Sequence, residues 1–114
     1  MARVLVVTLA AAGLLVAGAA QAQAQTAVDK GMKVYADQKC NLCHAIAGKG
    51  NAKGPLDEVG GKLTADQIRA WIVTPKDMSV KMKATRTPAM KAYPTLAKDD
   101  LDALVAYMLS LKKK

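Results

Sequence analysis

The only two cysteines of the sequence and its only histidine lie within five consecutive residues, Cys40-Asn41-Leu42-Cys43-His44. If these residues form one helical turn, both thiols point to the same side and the imidazole lies about 100° further round. Two thiols and an imidazole could form a redox pair, bind a metal ion, act as nucleophile and base, or hold a prosthetic group covalently. The rest of the chain decides between these chemistries.

Three of the four chemistries fit the chain poorly. A thioredoxin-like pair needs a strand before its helix, and no segment here alternates apolar and polar residues over a strand length. A structural zinc site needs four ligands, but the chain has no further Cys or His. A catalytic Cys and His must face each other, which adjacent residues on one turn do not. The C-x-x-C-H pattern favours covalent haem attachment, with thioethers from Cys40 and Cys43 and with His44 on the iron.

The sixth position of such an iron falls to Met, Lys, water or nothing, because the chain has no second His. A Met thioether opposite His is a common choice, and the candidates are Met78, Met82 and Met90. Met90 is preferred because Pro88 and Pro94 stiffen its loop on both sides. Met78 and Met82 are expected to fill gaps in a core, although either of them, or an open site, remains an alternative.

Helices must position the motif from both sides. Residues 26–39 are predicted to form a helix that begins at the N-cap Thr26 and leads into the motif. Its predicted inner face consists of Val28, Gly31 or Met32, and Tyr35. A second helix is predicted to begin at a capping box of Thr64 and Gln67 and to end before Pro75. The last helix has one apolar stripe, formed by Ala97, Leu101, Leu104, Val105, Met108 and Leu111.

The remaining segments indicate loops. Residues 45–62 are rich in glycine and show no helical periodicity, so they are predicted to form a loop that wraps a ligand. Residues 75–94 are irregular, with room for one short helix. Since no segment has the alternation of a strand, the predicted fold class is all-α, with three to five helices around one haem.

The N-terminal residues 1–24 are typical of a secretory signal. Arg3 precedes an apolar run over residues 4–20, and two small-x-small cleavage sites follow near residues 22–24. The mature domain, residues 25–114, is expected to begin near Gln23 or Gln25 and to be periplasmic. Retention as a membrane anchor is the alternative, because the run is only slightly shorter than a membrane span. With one Trp and no Phe, the domain has a modest core that a bound haem would complete.

The chain is basic, with a formal net charge of +8, which falls to +7 when Arg3 is removed with the signal. Export and the lack of a dense basic run with interleaved aromatic residues argue against nucleic-acid binding. Cations surround the proposed Met ligand at Lys76, Lys81, Lys83, Arg86 and Lys91, against a single Asp77. This pattern favours an acidic redox partner, with an ordinary solvated loop as the alternative.

The order of these landmarks resembles that of the small monohaem class I cytochromes c over nearly all of residues 25–114. Gly31-x-x-x-Tyr35 is similar to the first helix of that family, in which Gly permits close crossing of the last helix, here with Tyr107 as aromatic partner. Residues 54–56, Gly-Pro-Leu, resemble the turn beneath the haem. Residues 87–93 resemble the loop that carries the Met ligand. The resemblance implies the class I cytochrome c fold.

The resemblance also implies roles for individual residues. The Pro55 carbonyl would accept a hydrogen bond from the ring N–H of His44, although the residues alone also allow a neighbouring loop carbonyl. Met90 would bind the iron. Trp71 and Tyr93 would contact the haem, or else pack in the core with their polar tips at the surface.

A haem iron held by both His44 and Met90 has no free position for a substrate. We therefore expect a monomeric electron carrier between periplasmic redox proteins, and not an enzyme. Two alternatives stay open. The chain could be a haem c subunit of a respiratory or sulfur-oxidising complex, or a ligand-binding or catalytic haem protein with an open sixth site.

Overall fold

A long helix, α1 (Leu9–Asp37), leads directly towards the Cys-His motif. The computed structural model describes residues 9–113, with side chains for residues 19–113. After α1 come a 3₁₀ turn (Cys40–Leu42), β1 (Ala45–Ile46), β2 (Lys49–Gly50), α2 (Val59–Lys62), α3 (Ala65–Val73), α4 (Pro75–Lys81) and α5 (Lys98–Ser110). This mostly helical architecture confirms the predicted class.

The predicted loop over residues 45–62 contains two short elements that the sequence pattern did not reveal. β1 and β2 pair antiparallel, with Ala45 opposite Gly50, and Ala47 and Gly48 adopt positive φ between them. Strands of two residues are too short to show the alternation by which a strand is recognised. The helix α2 follows at the end of the segment, so the prediction of a plain loop was wrong.

α1 differs from the predicted helix at both ends. Thr26 is not an N-cap, because it lies inside the helix and its hydroxyl donates to the Ala22 carbonyl at 2.8 Å. The helix ends at Asp37, two residues before the predicted end, since Lys39 adopts the left-handed conformation with φ 57°. That residue redirects the chain into the 3₁₀ turn.

The predicted secretory segment, residues 1–24, is only partly covered. Residues 1–8 lie outside the described residues, whereas residues 9–24 belong to α1. Over residues 9–113, no helix combines the length and the apolar character needed to cross a membrane.

α1 and α5 cross at close range, and Gly31 makes this possible. A Cβ atom at Gly31 would lie 2.6 Å from the Tyr107 Cβ and 2.9 Å from the Ala103 carbonyl carbon, so a side chain there would force the helices apart. Next to the crossing, the rings of Tyr35 and Tyr107 meet edge to face with centroids 5.9 Å apart. Both contacts agree with the predicted packing.

The core forms where α1, α3 and α5 meet. Its buried members are Val34, Ile68, Ile72, Leu104, Val105, Tyr107 and Met108. Met32 is 49% exposed, so Gly31 and not Met32 lies on the inner face of α1. Val34 is only 6% exposed and also belongs to this core, although the sequence pattern did not predict it.

The residues at the starts of α3, α4 and α5 behave as their types predict. Thr64 and Gln67 form the expected capping box, with hydrogen bonds of 3.2 Å and 2.9 Å in the two directions. Pro75 follows the end of α3 and occupies the first turn of α4, where its missing N–H leaves no helical bond unmade. The last helix begins after Ala97, whose side chain makes no capping hydrogen bond.

Candidate haem site

The Cys-His motif folds as one tight turn. The backbone N–H groups of Cys43 and His44 both donate to the Cys40 carbonyl, at 3.1 Å and 3.0 Å. The turn brings both thiols and the imidazole to the wall of a single cavity, in which Cys40 is half-buried and Cys43 is exposed. This is the arrangement predicted from the spacing.

The cavity has a volume of about 270 Å³ and a mostly apolar wall. The motif forms one part of this wall, and the loop that carries Met90 contributes to it as well. Helices supply most of the remaining apolar side chains, among them Val59, Ile68, Trp71, Ile72, Leu104 and Met108. The predicted thioether cysteines and the two predicted iron ligands therefore surround one space.

The three methionines proposed as sixth ligand occupy different places. Met78 lies within α4 and is 6% exposed, and Met82 is 45% exposed after the end of that helix. Neither is among the described residues that line the cavity, whereas Met90 is. A further thioether in the wall, that of Met108, was not predicted, because its place in the apolar stripe of α5 indicated only a core role.

The carbonyl that approaches the imidazole belongs to Gly54. His44 Nδ1 lies 3.1 Å from the Gly54 oxygen, so the prediction that Pro55 accepts this hydrogen bond was wrong. The reason is the pairing of this segment with β1. Ala45 N–H donates to the Gly54 carbonyl at 3.0 Å, and Leu56 N–H donates to the Ala45 carbonyl at 2.9 Å. The Gly54 oxygen is thereby turned towards the motif.

The electrostatics of His44 favour its metal-binding form. Burial lowers the pKa of His44, the Gly54 carbonyl partly opposes this effect, and the positive charge of Arg86 lowers the pKa further. The imidazole is therefore neutral at neutral pH. When Nδ1 donates to Gly54, Nε2 keeps its lone pair for a metal.

Cys40 does not have the properties of a redox or nucleophilic thiol. Burial raises the pKa of Cys40 to about 11, so its thiol stays protonated at neutral pH. Reactive cysteines have the opposite shift, because the thiolate is the attacking species. Within residues 9–113, no three His, Cys, Asp or Glu side chains are placed so that together they could hold a bare metal ion.

Tyr35 adds a polar group to the cavity wall. Its hydroxyl is buried and has no hydrogen-bond partner in the described part of the chain, and burial raises its pKa to about 12. An unsatisfied buried hydroxyl costs about 1–3 kcal/mol, and a bound group with an acceptor atom would remove that cost. Two thiols, a neutral imidazole and a thioether around an apolar cavity are the groups that fit haem c.

The two aromatic residues predicted to contact a haem behave differently. Trp71 lines the cavity. Tyr93 packs against the core instead, where its N–H donates to the Ile72 carbonyl at 2.9 Å and its hydroxyl lies 3.4 Å from the Gln38 carbonyl oxygen. Tyr93 thus ties the Met90 loop to α3 and to the turn that follows α1, which agrees with the core role that the sequence left open.

Comparison with known proteins supports the interpretation of the Cys-His motif. The family model for cytochrome c matches residues 28–112. A relative, cytochrome c oxidase subunit 2 of Alkalihalophilus pseudofirmus, is 31% identical over 97 residues, which cover 77% of this chain. The chain spans only 27% of the length of that relative. No solved structure matches significantly. Because the family match extends over the motif, the helices and the cavity, the chain belongs to the cytochrome c family and carries covalently bound haem c.

Proposed function

We propose that this protein carries single electrons between periplasmic redox proteins on a haem whose iron is bound by His44 and Met90. One observation carries the proposal, the presence of Met90 in the same cavity wall as Cys40, Cys43 and His44. Occupied axial positions leave no place for a substrate on the iron. The protein is then an electron carrier and not an enzyme.

Each residue of the proposed site has a separate role. Cys40 and Cys43 anchor the haem through thioethers, and the Gly54 carbonyl holds the His44 ring in one orientation. Haem supplies one-electron exchange between iron(II) and iron(III). The apolar wall excludes water and favours the less charged iron(II), as does a thioether ligand, so the reduction potential is expected to be positive.

Substitution of Met90 tests the ligand assignment. The oxidised Met90→Ala protein is expected to lose the Met-to-iron charge-transfer band while it keeps covalent haem, since the sulfur is gone but the thioethers remain. Met82→Ala is the control, because that side chain does not line the cavity, and it should keep the band. Absorption spectra of the purified proteins check both. A band that persists in Met90→Ala would rule out Met90 as the ligand.

Carbon monoxide binding separates the carrier from a haem protein with an open sixth site. The reduced native protein is expected to bind no carbon monoxide, and reduced Met90→Ala to bind it readily. Binding to the native protein would support the ligand-binding or catalytic alternative.

The similarity to cytochrome c oxidase subunit 2 favours a second candidate, a haem c unit fixed in a respiratory complex. Since the chain spans about a quarter of that relative, the likeness supports a shared electron-transfer part and not the activity of the whole. Gel filtration of a native extract distinguishes the two candidates. A diffusing carrier elutes as a monomer, whereas a fixed subunit elutes with its complex.

The periplasmic location rests on the signal-like residues 1–24. We expect that the signal is removed near residues 22–24, so that the mature chain begins near Gln23 or Gln25. Intact-mass measurement of the native protein checks this. The expected mass is that of the shortened chain plus one haem, and a mass that includes residues 1–24 would contradict the proposal.

A further inference from the structure

Arg86 introduces a full positive charge into a mostly apolar wall. Of the described residues that line the cavity, it is the one with a permanently charged side chain. It comes from the segment between α4 and Met90 and is itself solvent-exposed.

The guanidinium of Arg86 lies against the backbone that supports the motif. A Cβ atom built on Gly54 would lie 3.0 Å from Arg86 Cζ and closer still to its Nη1 and to the Cys43 carbonyl oxygen. The absence of a side chain at Gly54 therefore leaves the space that the guanidinium occupies. Gly54 is also the residue whose carbonyl faces His44 Nδ1.

No carboxylate neutralises this charge within the part of the chain that the structure describes. The ion pairs found there lie elsewhere, as in Arg69 with Asp102 at 2.8 Å or Lys33 with Asp37 at 2.9 Å. Arg86 also makes no side-chain hydrogen bond to residues 19–113. Its field therefore acts on the cavity without an opposing partner charge.

We propose that Arg86 raises the reduction potential of the haem. The inference rests on the proposed function, because it requires an iron that alternates between two charge states. Oxidation adds one positive charge at the iron that His44 holds. A cation against the Gly54 and Cys43 backbone repels that added charge, and the apolar wall on the cavity side of the guanidinium screens this repulsion less than water would. Iron(II) is thereby favoured.

Redox titration of the haem-loaded protein tests the proposal with two variants at one position. Arg86→Gln removes the charge and is expected to lower the midpoint potential. Arg86→Lys keeps the charge and is expected to stay close to the native value. The shift in Arg86→Gln should shrink as ionic strength rises, because salt screens an exposed cation.

A charge-matched control excludes a general effect of net charge. Lys76→Gln removes one exposed cation from α4, at a side chain that does not line the cavity, and should shift the potential less than half as much. An unchanged potential in Arg86→Gln, or an equal shift in Lys76→Gln, would overturn the proposal. Absorption spectra distinguish this outcome from a wrong ligand assignment. If Met90 is not the ligand, the native protein and the Met90→Ala variant would not differ in the Met-to-iron charge-transfer band.

A second variant tests the place of the guanidinium. Gly54→Ala puts a methyl group against both the guanidinium and the Cys43 carbonyl oxygen, so it should displace Arg86 and also shift the backbone of the motif, and only its coupling with Arg86→Gln reports on the charge. In the Gly54→Ala background, Arg86→Gln should then have a smaller effect than in the native protein. If the shifts in midpoint potential of the two single variants simply add in the double variant, the effect of the Arg86 charge does not depend on its contact with Gly54. That result would overturn this part of the inference.

Discussion

Cys40 and His44 owe their chemistry to their protonation states as much as to their spacing. The pKa of the Cys40 thiol is about 11, and burial also lowers the pKa of His44. The first effect keeps the thiol from acting as a free nucleophile, and the second leaves an imidazole lone pair for iron. The motif is therefore suited to hold a prosthetic group and poorly suited to thiol redox chemistry.

Removal of both thiols tests the attachment directly. The double variant Cys40→Ser, Cys43→Ser is expected to lose covalent haem completely, because no other cysteine exists in the chain. Each single variant should keep haem through its remaining thioether. Haem staining after denaturing electrophoresis measures this, and stain on the double variant would show that attachment does not use these residues.

The helices hold the motif against the core. α1 delivers the chain to the 3₁₀ turn, and its packing on α5 depends on the backbone contact at Gly31. An ion-pair group, Arg69 with Asp102 and Lys98 with Asp102, links α3 to the first turns of α5 at the surface. Such exposed pairs add little stability, so the crossing of α1 and α5 matters more.

Gly31→Ala is expected to destabilise the folded protein by about 1–3 kcal/mol, because its methyl group would collide with Ala103 and Tyr107 of α5. Gly61→Ala is the matched control. Among the described residues, no heavy atom outside the local backbone of α2 lies within 4 Å of a Cβ there, and Ala in place of Gly within α2 should be neutral or stabilising by up to about 1 kcal/mol.

Urea unfolding of the haem-loaded variants measures both changes. Equal stability of the two variants would mean that α1 and α5 do not need the close approach at Gly31.

The whole molecule is basic, and part of its charge lies next to exposed apolar side chains. Val80 is 78% exposed and Met82 is 45% exposed, in a stretch that also contains Lys76, Lys81 and Lys83. Exposed apolar atoms surrounded by cations are suited to a partner with a matching acidic rim. We propose this stretch, residues 76–83, as the surface that meets redox partners.

Electron transfer with small charged reagents tests the sign of this surface. The rate with an anionic oxidant such as ferricyanide should fall as ionic strength rises, because salt screens attraction to the basic stretch. Lys81→Glu should reduce the rate and weaken its salt dependence. Lys112→Glu makes the same charge change beyond α5 and should have a smaller effect. Stopped-flow absorption measures the rates, and equal effects of both variants would contradict a localised surface.

Several features of the protein follow from short stretches of sequence because they form within one or two turns. The turn at Cys40–Leu42, the capping box at Thr64 and the stripe of α5 are of this kind. Gly31 could also be assigned to the crossing of two helices, since its spacing from Tyr35 resembles that of a known family.

Other features depend on residues that are distant in sequence, and here local patterns were insufficient. The carbonyl that faces His44 is that of Gly54 because the segment pairs with Ala45, which no local pattern predicts. The end of α1 depends on the left-handed conformation of Lys39. Likewise, periodicity could not show that Arg86 reaches the backbone beside the motif.

The attachment chemistry can be predicted from local sequence, since Cys40, Cys43 and His44 need only one turn to act together. Which methionine shares their cavity, and which charge lies beside it, depends on how the helices and loops pack. Met78, Met82 and Met90 are chemically identical and lie within one irregular stretch. What separates them is burial and position, and these arise from the packing of distant elements around a common space.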